Sequence, residues 1–144
     1  LKTYKNVQEV YVQGAEVNLK ARPTNYFSCN LAYTYTDSEN REYNNELPYT
    51  PNHTASLSPQ YRIRKYGLGI NSQISYVGEQ YPELENKNAI DDFFTVDGEI
   101  YKKINSKAKI SMEIDNILDS DKATEDPDDT LVGRSFTVKI KGTF

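Results

Sequence analysis

The chain has 144 residues, yet it contains no tryptophan and only one cysteine, one histidine and one methionine. Cys29 stands alone, so it closes no intrachain disulfide. It falls on the apolar side of an alternating stretch, a place for a small buried or lipid-facing residue rather than a nucleophile. His53 follows Pro51-Asn52 at the start of an alternating stretch. One imidazole without clustered partners is a poor site for haem iron or a metal. No Ser-His-Asp arrangement, Cys-His pair or phosphate-cradling loop occurs, so neither an enzyme nor a cofactor is expected. No basic stripe is present at a net charge of -4 and a pI near 5.1, and nucleic acid is not an expected partner. No apolar run reaches the ~18 residues of a membrane-spanning helix. That says nothing of a membrane barrel, whose strands alternate lipid-facing and lumen-facing residues and keep a low mean hydropathy.

What the chain does have is alternation with a period of two, the signature of extended strands with two unlike faces. It is clearest from Ser135 to the end. Phe136, Val138, Ile140 and Phe144 share one face, and Ser135, Thr137, Lys139, Lys141 and Thr143 share the other. The same pattern predicts strands over residues 10–22, 26–37, 53–64, 68–79, 93–104 and 107–116. Pro59 lies on the apolar face of the third and cannot donate to a ladder, so a bulge or a broken pair is expected there.

Between these strands the connections alternate short and long. Arg22-Pro23-Thr24-Asn25, Arg64-Lys65-Tyr66-Gly67 and Asn105-Ser106 are turns. Residues 38–51, 81–92 and 118–131 are long polar loops. Short turns at one end and long loops at the other characterise outer-membrane barrels, and a Greek-key sandwich has no reason to keep that asymmetry. Twelve tyrosines and five phenylalanines suit a wall with two membrane–water boundaries. The expected fold is all-β, an antiparallel meander of about seven strands forming part of a transmembrane barrel. A soluble β-sandwich used for binding or adhesion, and a passive porin-like channel, remain as alternatives.

A series of short motifs then resembles the C-terminal barrel region of TonB-dependent outer-membrane receptors. It runs through Val12-Gln13-Gly14-Ala15-Glu16, Ala32-Tyr33-Thr34-Tyr35-Thr36-Asp37 and Leu47-Pro48-Tyr49-Thr50-Pro51-Asn52-His53-Thr54-Ala55-Ser56-Leu57. Tyr76-Val77-Gly78, Val96-Asp97-Gly98 with Tyr101, Asp115-Asn116-Ile117-Leu118-Asp119, Gly133-Arg134-Ser135-Phe136 and Phe144 follow in order. Ile117-Leu118 departs from the commoner Leu-Phe. The start at Leu1, without Met or signal peptide, fits the expectation of a C-terminal piece of a longer chain. The resemblance implies a plugged barrel of about twenty-two strands, of which seven form only the last part. It also implies TonB-energised uptake of a small scarce ligand such as an iron chelate, haem, a vitamin or a glycan. Its implied partners are outer-membrane lipid, the barrel-assembly machinery and, through a plug domain, the TonB complex.

Two sets of residues follow as candidates. Phe136, Val138, Ile140 and Phe144 would form the signal that the assembly machinery reads. Glu16, Lys20, Arg62, Lys107, Lys109, Glu113, Lys139 and Lys141 fall on the lumen face, where they either contact a plug or substrate or are simply tolerated by water. The acidic loop with Asp119, Asp121, Glu125, Asp126, Asp128 and Asp129 lacks the EF-hand pattern, having Ala123 and Thr124 where a ligand and a glycine are needed. It is read as a solvated loop.

Overall fold

A computed structural model describes residues 9–121 and 133–142. Seven antiparallel strands form one sheet in sequence order. They are β1 (Val10–Ala21), β2 (Phe27–Asn40), β3 (His53–Ile63), β4 (Leu68–Val77), β5 (Phe93–Lys103), β6 (Ala108–Asp115) and β7 (Ser135–Gly142). Each pairs with its neighbours in the chain, as a meander must. Phe144 and most of the acidic loop lie outside the described residues. No second layer covers the sheet among the described residues, so a sandwich is not what these strands build.

The short turns are fixed by local chemistry. Pro23 presets one backbone angle of the first, and the Thr24 hydroxyl accepts from the N–H groups of Tyr26 and Phe27 at 3.2 and 2.9 Å. The second is a single 3₁₀ turn, Arg64–Tyr66, closed by Gly67 at φ 63°. A side chain there would be doubly excluded, because a Cβ would sit 2.7 Å from the Lys103 carbonyl oxygen. In the third, Asn105 Oδ1 accepts from Lys107 N–H at 2.8 Å. Lys107 therefore belongs to the turn rather than to the strand face.

Cross-strand register sorts the side chains into two faces. One face stacks apolar rows, such as Leu19–Leu31–Leu57–Ile74–Val96 and Tyr61–Ile70–Ile100–Met112–Val138. These residues are not core. Phe136, Val138 and Ile140 are 67%, 67% and 79% exposed, and Tyr101, on the other face, is the one hydrophobic side chain buried among the described residues. A sheet that uncovers its apolar face in this way requires an apolar solvent. β4, with 10 residues, extends about 33 Å at ~3.3 Å per residue. Tilted by ~40° it crosses about 25 Å, the height of the apolar band of such barrels.

Aromatic residues bound that band. Tyr33, Tyr35 and His53 cluster at the loop end, with Tyr33 Oη 2.8 Å from His53 Nδ1. Tyr76 and Phe94 continue the row with ring centroids 4.9 Å apart. Tyr26, Phe27, Tyr61 and Tyr66 mark the turn end. Beyond Tyr35 the outward face turns polar, with Gln13 opposite Asp37 and Tyr11 opposite Glu39. β2 nevertheless continues to Asn40, three residues past its expected end at Asp37, because β1 pairs with it as far as Val10.

Pro59 gives the expected interruption. It remains paired with Cys29 on β2, but the β3–β4 pairing lapses between Leu57–Ile74 and Gln60–Asn71. The register is the same on both sides, so the ladder is broken without a bulge. The missing N–H accounts for this, and the Ser72 hydroxyl turns instead to the Asp97 carbonyl at 2.8 Å.

Replacing Ile74 by arginine, in the middle of the outward face, is expected to destabilise the assembled barrel by about 2–4 kcal/mol. Ser75→Arg, on the opposite face, should cost far less. Denaturant unfolding in lipid bilayers measures both, and equal costs would contradict the assignment of faces.

Candidate functional site

The second face carries the polar chemistry. On β4, β5 and β6 it forms a shallow trough of about 350 Å³, lined by Gln60, Asn71, Gln73, Glu99, Glu113 and Asp115 among others. Register explains the gathering, since Gln60, Asn71, Glu99, Glu113 and Thr137 lie in one cross-strand row. Two carboxylates directly opposite, Glu99 and Glu113, would repel. Each is instead paired with a lysine, Glu113 with one from the adjacent row of the same face and Glu99 with one from the row beyond it. Lys109 bonds to Glu99 and Lys139 to Glu113. Asn71 Nδ2 donates to the other Glu99 oxygen at 2.7 Å.

Lys109 also lies over the ring of Tyr101, with Nζ 4.4 Å from its centroid, a cation–π contact. The ring in turn lies flat over Gly69, where a Cβ would stand 2.2 Å from a ring carbon. Gly69 pairs directly with Tyr101, so the glycine makes the space and the ring covers the bare backbone. Tyr101 is thereby 8% exposed on a face otherwise open to solvent.

Of the candidate lumen residues, the structure brings Lys109, Glu113 and Lys139 together. Arg62 lies apart on β3, opposite Gly69, with its guanidinium donating to Gln60 Oε1, and lines a second pocket with Arg22, Ser28 and Arg64. Lys141 stands opposite Lys109 across β6 and β7. Glu16 and Lys20 lie apart on β1, opposite Thr34 and Asn30. Glu99, Asn71 and Tyr101 were not singled out as site residues. The alternation of β5 placed Glu99 on the right face, but only the register shows that it faces Glu113.

At the loop end the short motifs meet one another. A Cβ on Gly14 would come within 2.4 Å of the Tyr35 carbonyl oxygen, so the strands approach closely there. Thr36 N–H donates to the Asn52 carbonyl at 3.0 Å, and Gly78 N–H to that of His53 at 2.8 Å. Asn116 N–H donates to Asp97 Oδ1 at 2.9 Å, and Ile117 N–H to the Val96 carbonyl at 2.7 Å. Asp119 Oδ1 accepts from Arg134 N–H at 2.8 Å, and the two side chains form an ion pair at 3.7 Å. Asp119 and Arg134 thus tie together the two feet of the acidic loop.

The two other long loops pack on each other. Tyr49 N–H donates to the Tyr81 carbonyl at 2.8 Å, and Asn45 Nδ2 to that of Leu84 at 3.0 Å. Asn40 is fully buried beneath them and its side chain accepts from Glu42 N–H at 3.0 Å. The Tyr81 hydroxyl donates to Glu79 at 3.1 Å. That bond first, and then the carboxylate's charge, hold its pKa above the ordinary phenol value.

Residues 2–117 match the family described as TonB dependent receptor-like, beta-barrel. The chain belongs to that family. A curated relative, a probable TonB-dependent siderophore receptor, PiuA, of Acinetobacter baumannii, is 25% identical over 133 residues, covering 81% of this chain and 18% of its own length. The crystal structure of the siderophore receptor PiuA from the same organism superposes with a TM-score of 0.79 at 21% identity, over 92% of this chain and 22% of that one. The copper transporter OprC superposes at 0.76 and 17% identity, covering 94% and 24%. The E. coli ferric-catecholate import receptor Fiu gives 0.74 and 16%, covering 94% and 21%. These likenesses establish the fold. The chain spans about a fifth of the length of the relatives it matches. As a TonB-dependent receptor barrel, it resides in the outer membrane of a Gram-negative bacterium. Its apolar face meets lipid and its polar face the lumen.

In this TonB-dependent receptor barrel, Gly69→Val is expected to push Tyr101 off the sheet and to cost about 1–3 kcal/mol. Adding Tyr101→Ala should remove most of that penalty. The coupling is read from a double-mutant cycle of unfolding free energies on the assembled barrel, and additive effects would disprove the Gly–Tyr stacking.

Proposed function

We propose that the seven strands are the C-terminal part of a plugged barrel that imports a scarce small ligand, with an iron chelate as the first candidate. The match to the receptor-barrel family carries this proposal, and the siderophore-receptor name of the curated relative supports the choice of ligand class. Energy reaches the ligand through a plug domain engaged by the TonB complex. The lumen pairs Lys109–Glu99 and Lys139–Glu113 are held on neighbouring strands, a rigid arrangement suited to seating a plug or lining a substrate path. Glu16, Lys20 and Arg62 extend that polar wall.

Deleting the gene should abolish growth on one or more ferric chelates as sole iron source. Uptake of labelled chelate should stop when TonB or the proton-motive force is removed. Uptake that persists without energy would instead identify a passive channel. Replacing both Lys109 and Lys139 by glutamine leaves two facing carboxylates unpaired, and should slow energised uptake several-fold while leaving surface binding of the chelate unchanged.

β7 serves, in this proposal, as the strand read by the barrel-assembly machinery. Phe136, Val138 and Ile140 present an exposed apolar row, and in the sequence Phe144 continues its alternation. Removal of Phe144 should lower the fraction of heat-modifiable, membrane-inserted barrel. Unchanged assembly would remove Phe144 from the signal.

A further inference from the structure

The charges of this chain are segregated along the strand direction. On residues 20–28, 60–68, 102–110 and 139–142, which lie at the turn end, every charged side chain is Lys or Arg. At the loop end, on residues 37–52, 79–92 and 115–121, acids far outnumber bases. No basic stripe is visible along the sequence, because the cations are divided among three turns far apart in the chain. The meander brings those turns side by side.

Lys102 is the informative member. Below the Tyr35 row it is the one charged residue on the outward face of the described strands, standing between Leu68 and Ile110 in the cross-strand rows. Its ammonium group bends toward the turn and bonds to the Tyr66 carbonyl, as a lysine does when its stem lies in hydrocarbon and its head seeks a polar boundary. Arg64 and Lys65 belong to that turn and are exposed, but Arg64 lines a pocket with Arg22, Ser28 and Arg62 of the polar face, which leaves Lys65 as the second cation of the outer wall. Lys65 Nζ lies 5.5 Å from the Tyr66 ring centroid. Tyr66 and Ile104 beside them are 55% and 65% exposed. Cations, an amphipathic ring and apolar side chains thus share one level of the outer wall.

We propose that Lys65 and Lys102 form a docking site for the phosphate of an anionic phospholipid headgroup at the turn-end boundary of the membrane. Acyl chains of that lipid would lie along Leu68, Ile104 and Ile110, and the Tyr66 ring would stand at headgroup depth. Charge complementarity favours an anionic lipid over a zwitterionic one, because two cations meet at Tyr66 with no carboxylate on the turn-end segments. An acidic protein surface would satisfy the cations but not the apolar side chains directly above them. The site rests on the membrane placement of the wall, and not on the identity of the transported ligand.

The test uses the full-length receptor, purified in detergent and shown to be an intact barrel by heat-modifiable gel mobility. Phosphatidylglycerol and phosphatidylcholine are titrated separately, and bound lipid is counted by native mass spectrometry at low and high salt. Phosphatidylglycerol should bind more tightly, with the preference shrinking as salt rises. Lys65→Gln and Lys102→Gln should each weaken it about fivefold, whereas Lys87→Gln at the loop end should not. Each single variant is first checked for heat-modifiable mobility, so that loss of the barrel is not mistaken for loss of the site. Equal binding of both lipids by the intact barrel, or a preference untouched by both substitutions, would overturn the proposal. So would retention of an acidic protein at these residues without lipid selectivity.

Discussion

The structure depends on one constraint: inside hydrocarbon, each backbone N–H and C=O must find its partner within the protein. A meander of antiparallel strands meets it between β1 and β7 by pairing each strand with its chain neighbours, and closure of a full barrel meets it at the two ends; the register is continuous from β1 to β7 apart from the lapse at Pro59. That lapse is instructive. The amide that proline lacks leaves the ladder open for two positions, and the nearby Ser72 hydroxyl bonds to a carbonyl of β5 instead. The register survives because both flanking segments of β3 stay bound to β2 as well as β4. A one-residue slip would send every lysine of the polar face into lipid.

The same constraint explains where the energy of the fold is absent. Most large apolar side chains are exposed, the rest are half-buried, and only Tyr101 is buried among the described residues, so the apolar face has no core in water. Stability in the bilayer comes from the backbone ladder, cross-strand contacts and lipid contact. The polar face relies on pairing instead. Glu99 and Glu113 stand opposite each other, and Lys109 and Lys139 offset their repulsion. The Tyr101 ring over Gly69 adds a small packed site on a surface that is otherwise wet.

Much of this was legible in the sequence. Period-two alternation placed all seven strands and both faces, and the order of connections gave the asymmetry of the two ends. The misses have a common cause. Alternation is a signal of unlike solvents on the two sides of a strand, and it fades where both sides meet water. Ser38, Glu39 and Asn40 therefore read as loop although they are strand, and Lys107 read as strand although it belongs to a turn. Cross-strand partners were invisible for a different reason. Nothing in a single strand states which residue of the next one it will face, so the Glu99–Glu113 pair and the Tyr101–Gly69 stack needed the register.

The motifs that resembled the receptor family acquire a physical meaning once the register is known. They are not a dispersed code. Gly14 admits the close approach of β2, Thr36 bonds to Asn52, Gly78 to His53, Asp97 to Asn116, and Asp119 to Arg134. Each of these five contacts joins one motif to its neighbour in the chain. All of these contacts lie at the loop end, where strands leave the membrane and water begins to compete for backbone hydrogen bonds. Side chains that clamp strand ends there hold the register at the point where the bilayer no longer enforces it. The turn end has no need of such clamps, since a tight turn fixes the register of its two strands by itself. Apart from Thr24 and Asn105, which fix their own turns, its side chains are free of that task, and the lysines and arginines collect there.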